Sequence, residues 1–159
     1  MLLRVVATGR FLGAVIEPVE EADYKTIKKK SFFFDWNAEK DGMTYKLRAN
    51  GDRGILGLMS VAYFDEEQRI NIRLLAVAKE QVGVGKKIDG IAGNLIAFAA
   101  RMSSNRYGEL AAVSLIPKTA LRKHYMDKYG FQPAGRGLFI FGSTLYALLN
   151  EYRYDSQPI

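Results

Sequence analysis

Three consecutive strand patterns followed by a helical stripe restrict this chain more than any other feature. Residues 43–48 alternate between apolar and polar side chains, which is the period-2 pattern of a half-buried strand. Asn50–Gly51 follows and predicts a hairpin turn, because both residues tolerate positive φ. Two more strands are predicted at about 55–64 and 69–77. The middle of the chain is therefore predicted to be an antiparallel meander.

A long helix is predicted after the meander, from Lys86 to Ser103, because apolar residues recur there at three- and four-residue spacing. Gly90 and Gly93 lie near its start and favour close approach to a sheet. The other predicted elements are strands at 2–7, 11–16, 110–116 (covered on both faces) and 137–141, and helices at 19–30, 118–129 (closed by Gly130) and 143–152 (capped by Ser143). A strand–helix–strand order implies a right-handed crossover and some parallel pairing. The fold class is α/β or α+β with a mixed sheet, in one domain over residues 1–159.

Composition excludes several classes of protein and of site. The chain has 159 residues, no cysteine and one histidine, His124, so disulfide scaffolds, thiolate zinc sites, cysteine nucleophiles and multi-histidine metal sites are excluded. No window reaches the roughly 18 apolar residues of a membrane span, and a cytoplasmic protein is expected. The net charge of +6 favours polyanionic partners, namely nucleic acid, a membrane surface or a phosphorylated small molecule.

The segment from Leu75 to Lys87 joins the last predicted strand of the meander to the long helix through two alternating glycines, Gly83 and Gly85. Consecutive backbone N–H groups at such a junction can surround a phosphate. A P-loop is excluded because Glu80 would have to be glycine and Lys87 a hydroxyl residue. A dinucleotide fingerprint is excluded because Ile88 would have to be glycine and an antiparallel meander precedes the loop. The alternative without a functional role is that Gly83 and Gly85 only shape a tight turn.

The segment resembles motif A of the GNAT family of N-acetyltransferases, whose form is close to L-x-V-x-P-x-x-Q/R-G-x-G-I-G/A. Leu75, Val77, Gly83 and Gly85 stand in register with it. The ending Tyr129-Gly130-Phe131 resembles the family's Y/L-G-F. The resemblance covers about residues 44–141, and the segment GKKIDGIAGNLIAFA (85–99) is similar to a bacterial branch of the family.

Two departures from the motif are visible. Val82 stands at the usual Gln/Arg position and Lys87 at the usual Gly/Ala position. Lys86 and Lys87 are candidates to compensate as cations beside the phosphates, or else they are solvated side chains.

The resemblance implies a GNAT-like, mostly antiparallel mixed sheet with a splayed central strand pair and flanking helices. It implies acetyl-CoA as cofactor and direct attack of an amine on the thioester, which would lie between the strands at 69–77 and 110–116. The residues it implies in cofactor binding are Leu75, Ala76 and Val77 for pantetheine, and Val82, Gly83, Val84, Gly85, Lys86 and Lys87 for pyrophosphate.

Acetyl transfer also needs a proton donor for the CoA thiolate and a base for the amine. By the resemblance the donor is Tyr125, although it lies five residues before Gly130 where many family members have four, a spacing that would select Met126. Tyr129 is the second candidate, and a purely structural core tyrosine is the alternative for Tyr125.

No carboxylate that could act as the base lies in 69–74. The turn residues 65–67 are expected to be solvated, and a base acting through water, or no base, remains open. His124 is expected at the surface.

The segment from Lys28 to Trp36 combines three lysines with four aromatic residues. A stacking surface for nucleic acid is one interpretation; a polar helix end followed by core aromatics is the favoured one. The resemblance would place Asp35 and its aromatic neighbours beside the acceptor site. Alternatives to an N-acetyltransferase are a GNAT-fold protein that binds CoA without turnover and a basic nucleic-acid-binding module. The expected partner is a small-molecule or protein amine acceptor, with no membrane, nucleic acid disfavoured, and a homodimer possible in this family.

Overall fold

The computed structural model of the chain describes residues 1–40 and 42–152. The strands in this part are β1 (Leu2–Val5), β2 (Phe11–Pro18), β3 (Met43–Ala49), β4 (Ile55–Phe64), β5 (Arg69–Val77), β6 (Ile88–Asp89), β7 (Ala112–Leu115), β8 (Gln132–Ala134) and β9 (Gly137–Phe141). The α-helices are α1 (Lys29–Phe32), α2 (Ile91–Tyr107), α3 (Arg122–Tyr129) and α4 (Gly142–Glu151). Short 3-10 turns include Glu21–Lys25, Trp36–Glu39 and Lys79–Gln81.

The strands form one mixed sheet in the order β6-β1-β2-β3-β4-β5-β7-β9-β8. The mostly antiparallel sheet with flanking helices confirms the predicted fold class. Residue contacts divide the chain into two compact units. The first contains residues up to Ser60 and residues 74–95, and the second contains residues 61–73 and the described residues from Ile96 onward. That the chain is a single functional domain stays a prediction.

The first unit contains two predicted strands that pair as a hairpin, β1 with β2, in the register Leu3↔Leu12. β2 also pairs antiparallel with β3. The turn after β3 closes with the Asp52 amide donating to the Ala49 carbonyl, and in it Gly51 takes φ +81°. These strands and the meander were readable from the sequence because their apolar alternation is local.

One face of β4 and β5 in this unit is covered by a cluster of buried side chains. It comprises Ile27, Phe32, Trp36, Leu58, Ala76 and Ala78. The segment 28–36 thus contributes core aromatics: the Trp36 indole is 1 % exposed and donates to the Phe32 carbonyl at 3.0 Å. The favoured interpretation of the aromatic run is confirmed for Phe32 and Trp36, which are not available for stacking on bases.

The predicted helix over 19–30 is wrong in extent. The chain forms a 3-10 turn at Glu21–Lys25 and only one α-helical turn, α1. The turn is held by a capping box in which Glu20 and Asp23 bond to each other's backbone. Asp23 also accepts from the Lys46 ammonium of β3 at 2.7 Å. The conformation of this 3-10 turn therefore depends on a contact with a strand more than twenty residues away.

The predicted start of the long helix at Lys86 is also wrong, because α2 begins at Ile91. Ile88 is in phase with the helical stripe but pairs with Val5 of β1 in the short strand β6. Gly90 then takes φ +96°, and its carbonyl accepts from the Asn94 amide, which begins the helix. Pairing with β1, more than eighty residues distant in sequence, is not visible in a local pattern.

The second unit contains the predicted parallel pairing. β7 runs parallel to β5 from Arg69↔Ala112 to Ile72↔Leu115, which confirms the strand–helix–strand crossover. β7 pairs antiparallel with β9, and β9 with the unpredicted edge strand β8. The expected coverage of residues 110–116 on both faces is wrong, since Leu110 is 70 % and Ile116 75 % exposed.

The two short helices of this unit follow the expected limits except at their starts. α3 begins at Arg122 after a 3-10 turn and ends at Gly130, whose φ is +82°, as predicted. α4 begins at Gly142 after Phe141, and no side chain caps it, so the assignment of Ser143 as its cap is wrong. No helix in the described residues is both long enough and apolar enough to cross a membrane.

Candidate functional site

The last part of β5 has backbone without a strand partner on its β7 side. The parallel ladder stops at Ile72↔Leu115, five residues before β5 ends at Val77. Leu75 and Val77 are half-buried, whereas Ala76 is 4 % exposed and belongs to the core cluster. Because β7 ends at Leu115, the N–H and C=O groups of Leu75–Val77 on that edge are not used by a β7 residue in the described chain. Such an edge can pair with an extended ligand.

The loop after β5 is held in place by one buried amide side chain. The Gln81 carboxamide oxygen accepts from the backbone N–H groups of Lys87 at 3.0 Å and Ile88 at 2.9 Å. Gln81 is 9 % exposed, and its backbone N–H donates to the Ala78 carbonyl. The sequence analysis did not single out this residue, and only its position one residue before Val82 could have drawn attention to it. Gln81 therefore holds the loop in place through its side chain. The apolar side chain of Val82 cannot form such hydrogen bonds.

Three consecutive amides of this loop are open. Within residues 1–40 and 42–152, the N–H groups of Gly83, Val84 and Gly85 donate no hydrogen bond. All three residues are exposed, the Val84 side chain fully so, and Gly83 takes φ +80°. A side chain at Gly85 would meet nothing within 4 Å. Consecutive open N–H groups in a loop of this kind are a typical anion-binding arrangement.

The remaining predicted phosphate residues are arranged differently from the expectation. The amides of Val82 and Lys86 bond to loop carbonyls, and that of Lys87 bonds to Gln81. The Lys86 ammonium pairs with Asp89 at 2.9 Å, while Lys87 is exposed. Because α2 starts only at Ile91, the loop amides do not form the first turn of a helix. An anion here would rely on the loop amides and nearby lysines rather than on a helix dipole.

Tyr125 lies on α3 in the second unit, half-buried among aromatic rings. Its ring centroid is 5.9 Å from that of Tyr129 and 6.1 Å from that of Phe131. Burial raises the pKa of the Tyr125 phenol, so it remains protonated at neutral pH. Burial is the only cause of this shift, so no hydrogen bond to a neighbouring side chain contributes to it. The group is chemically suited to donate a proton.

The neighbours of Tyr125 differ in exposure. Tyr129 shares its face, as expected at i+4, but is only 5 % exposed. Met126 is half-buried, and His124 is exposed as predicted.

The turn carboxylates before β5 are exposed, as expected, and two of them also form ion pairs. The Asp65 carboxylate accepts from the Arg106 guanidinium at 2.8 and 3.1 Å and from the Tyr107 hydroxyl at 2.6 Å. The Arg106 and Tyr107 hydrogen bonds lower the pKa of Asp65. Glu67 pairs with Arg69. These groups tie the end of α2 to the turn and are poor candidates for a base.

A buried carboxylate that the sequence analysis missed lies at the end of the 3-10 turn in the first unit. Glu39 is 8 % exposed, and its carbonyl accepts from the Gly42 amide at 2.9 Å. A Cβ atom on Gly42 would lie 3.8 Å from the Glu39 Oε2 atom and 3.9 Å from the Ser60 Oγ atom of β4. Ser60 is fully buried, and its hydroxyl has no partner in the described part of the chain. A lone glutamate in a polar segment gives no sequence signal of burial.

Comparison with solved structures gives one consistent class of neighbours. A mutant of the AtaT toxin bound to the C-terminus of the antitoxin AtaR and to acetyl-CoA matches with a TM-score of 0.59 and 15 % identity, over 87 % of this chain and 99 % of that one. Spermidine/spermine N-acetyltransferase SpeG from Vibrio cholerae matches with a TM-score of 0.56 and 13 % identity, over 88 % and 97 %. The ribosomal-protein-S18-alanine N-acetyltransferase from Escherichia coli matches with a TM-score of 0.54 and 13 % identity, over 80 % and 91 %.

These neighbours are acetyltransferases of the GNAT family, and the chain has their fold. The expectation of a GNAT-like fold is thereby confirmed. No protein-family model and no curated protein sequence matches the chain. The bacterial branch suggested by residues 85–99 stays a prediction.

Proposed function

We propose that this chain is an N-acetyltransferase that uses acetyl-CoA and transfers the acetyl group directly to an amine. The observation that carries the proposal is the row of three open amides at Gly83–Gly85, placed just after a strand whose edge is unpaired beyond Ile72. A diphosphate fits the amides, and the pantetheine amide groups fit the free edge of Leu75–Val77. Two of the structural neighbours are named as N-acetyltransferases and a third, the AtaT mutant, is bound to acetyl-CoA, which supports the same cofactor.

The chemistry assigned to Tyr125 is protonation of the departing CoA thiolate. Its phenol is kept protonated by burial, which leaves its proton available for the thiolate. The acceptor is an amine, of a small molecule or a protein. A cytoplasmic location and a homodimer are further expectations that accompany this proposal.

Cofactor binding is tested by thermal unfolding with acetyl-CoA, CoA or ATP. At 100 times Kd a ligand stabilises the folded state by about 2.7 kcal/mol. For a chain of this size, Tm should rise by about 5–11 °C with acetyl-CoA and with CoA, but not with ATP. No shift at millimolar acetyl-CoA would contradict the proposal.

A charge placed in the loop tests whether the open amides bind the cofactor. Val84→Glu adds a carboxylate to a fully exposed side chain, so it should leave the fold intact and reduce the acetyl-CoA shift by repulsion. Leu110→Glu adds the same charge at another exposed position and should keep the shift. Equal shifts in both variants would remove the loop from the site.

Turnover is measured as release of the CoA thiol, which the chain's lack of cysteine leaves without background. Tyr125→Phe should lower kcat at least tenfold with little change in acetyl-CoA affinity, since a positioned acid contributes 10²–10⁴-fold. Tyr146→Phe, an exposed tyrosine on α4, is the matched control. An unchanged kcat would remove the assignment of Tyr125. CoA binding without turnover of any amine would favour the non-catalytic alternative.

A further inference from the structure

One face of the β1–β2 hairpin carries exposed apolar and cationic side chains. Leu3 of β1 is 0 % exposed and lies on the buried face. Because successive residues of a strand point to opposite faces, Leu2 and Arg4 lie on the other face. Phe11 of β2 pairs with Arg4 and therefore shares that face. Phe11 is 61 % exposed and Leu2 44 %. This open face thus presents an aromatic ring beside a cation to any ligand in solution.

The short strand β6 extends the open face toward the glycine loop. β6 pairs antiparallel with β1 in the register Arg4↔Asp89, and the Val6 amide donates to the Lys87 carbonyl at 2.9 Å. Lys87 stands two residues before Asp89, so both side chains point to the face on which Arg4 lies. The row of open amides, Gly83–Gly85, ends two residues before Lys87. The open face and the open amides are therefore adjacent parts of the first unit.

Three cations surround one carboxylate on this face. Asp89 accepts from the Arg4 guanidinium at 3.5 Å and pairs with the Lys86 ammonium at 2.9 Å. Both cations keep further N–H donors, because a guanidinium has five and an ammonium three. Lys87 is exposed and forms no ion pair with another described residue. Three positive charges against one negative charge leave an excess of positive charge, which attracts anions.

The order of groups in CoA matches the order of these features along the chain. This step rests on the function proposed above. In the coenzyme, pantetheine is followed by the diphosphate and then by a ribose that carries adenine and a 3′-phosphate. In the chain, the free edge of Leu75–Val77 is followed by the open amides of Gly83–Gly85 and then by the cations beside β6. The group that follows the diphosphate therefore meets positive charge and an exposed aromatic ring.

We propose that the open face of β1, β2 and β6 binds the 3′-phosphoadenosine end of CoA. Arg4, Lys86 and Lys87 hold the 3′-phosphate, an anion that forms charge-assisted hydrogen bonds with such cations. Phe11 provides the ring on which the adenine base stacks. The site makes the protein distinguish CoA from 3′-dephospho-CoA, which has the same pantetheine, diphosphate and adenine but lacks the 3′-phosphate.

The experiment compares the Kd values of CoA and 3′-dephospho-CoA by isothermal titration calorimetry. The wild type should bind CoA about tenfold more tightly at low salt, which is equivalent to about 1.4 kcal/mol. The preference should fall below about threefold in 1 M NaCl, because salt screens interactions between exposed charges. Equal affinity for the two ligands at low salt would overturn the inference.

Substitutions separate recognition of the phosphate from recognition of the base. Arg4→Gln and Lys87→Gln should each reduce the preference for CoA at least about threefold, because each removes one charge beside the 3′-phosphate. Phe11→Ser should weaken both ligands equally, by about fivefold or more, because both carry adenine. Arg53→Gln and Leu110→Ser change an exposed arginine and an exposed apolar residue elsewhere, and should keep both Kd values.

The outcomes separate this inference from the proposed function. A preference for CoA that survives both charge substitutions, or Phe11→Ser binding like the wild type, would overturn the site on this face. The Tm of each variant without ligand should change little, because all three side chains are exposed. Equal binding of CoA and 3′-dephospho-CoA removes only the 3′-phosphoadenosine site. Binding of neither ligand at millimolar concentration overturns the proposed function as well.

Discussion

The two faces of β4 differ in how well they satisfy what they bury. Toward α2, Gly57 lets the helix approach so closely that an added Cβ would lie 2.7 Å from Ile91 and 2.9 Å from Leu95. The opposite face carries Leu58 and packs under the Trp36 cluster. Ser60 shares that face, because alternate residues of a strand point to the same side. Its fully buried hydroxyl has no hydrogen-bond partner in the described residues. Both faces are therefore packed with apolar side chains, and the second also buries a polar group without a partner.

The largest effect is expected from adding a methyl group to the face of β4 that packs against α2. Gly57→Ala should lower the free energy of unfolding by about 1–3 kcal/mol, because the added methyl group overpacks Ile91 and Leu95. That corresponds to a Tm decrease of about 2–4 °C per kcal/mol for a chain of this size. Gly54→Ala is the control, since its Cβ would be 3.4 Å from the Asp52 carboxylate in an exposed turn. Equal Tm values for the two variants would refute the close approach of α2.

A buried polar group with partners should behave differently from Ser60. Gln81→Leu removes the acceptor of two backbone amides and should cost about 1–2 kcal/mol, measured by urea unfolding. Gln81→Glu keeps the acceptor oxygens and should retain stability. Its negative charge next to the open amides should still weaken acetyl-CoA binding. If Gln81→Leu were as stable as the wild type, the loop would not depend on this side chain.

The smallest effect is expected at the ion pair between Glu17 of β2 and Arg48 of β3. Glu17 accepts from Arg48 at 2.8 Å, and this hydrogen bond, followed by the attraction of Arg48 and Lys46, lowers its pKa despite partial burial. The stabilisation is present above the ordinary glutamate pKa of about 4.3 and is lost as pH falls through the lower folded-state pKa. Glu17→Gln should cost about 0.2–1 kcal/mol at pH 7 and nothing near pH 2. A deficit independent of pH would show that the charge is not its cause.

The motif residues show how much of the structure can be predicted from local sequence. The strands of the meander, the parallel crossover to β7 and the end of α3 at Gly130 were all predictable, because alternation, helical spacing and a positive φ are local properties. The glycine loop was located correctly but its details were not. The loop is closed by the Gln81 side chain, which accepts from a backbone amide six residues away. The short strand β6 makes α2 begin five residues later than predicted.

The candidate site divides in the same way. Tyr125 and the loop glycines could be proposed from spacing alone, and their roles remain predictions. The burial of Glu39 and Ser60 could not be predicted, because burial of a lone glutamate or serine depends on which distant elements cover it. Gly90 and Gly93 were expected to admit α2 to the sheet. A Cβ on Gly90 would lie 3.6 Å from the Leu2 carbonyl oxygen of β1, and a still closer approach occurs at Gly57 on β4. The expectation for Gly93 stays a prediction.

The sequence by itself determined the order of elements, the class of fold and the place of the phosphate-type loop, since each of these follows from the periodicity and turn chemistry of short segments. Tertiary structure alone decided where α2 begins, which amides of the loop stay open, and that the Ser60 hydroxyl is buried without a partner in the described residues. The physical reason is that hydrogen-bond satisfaction and burial are properties of pairs of residues far apart in the chain, and no local pattern specifies the partner.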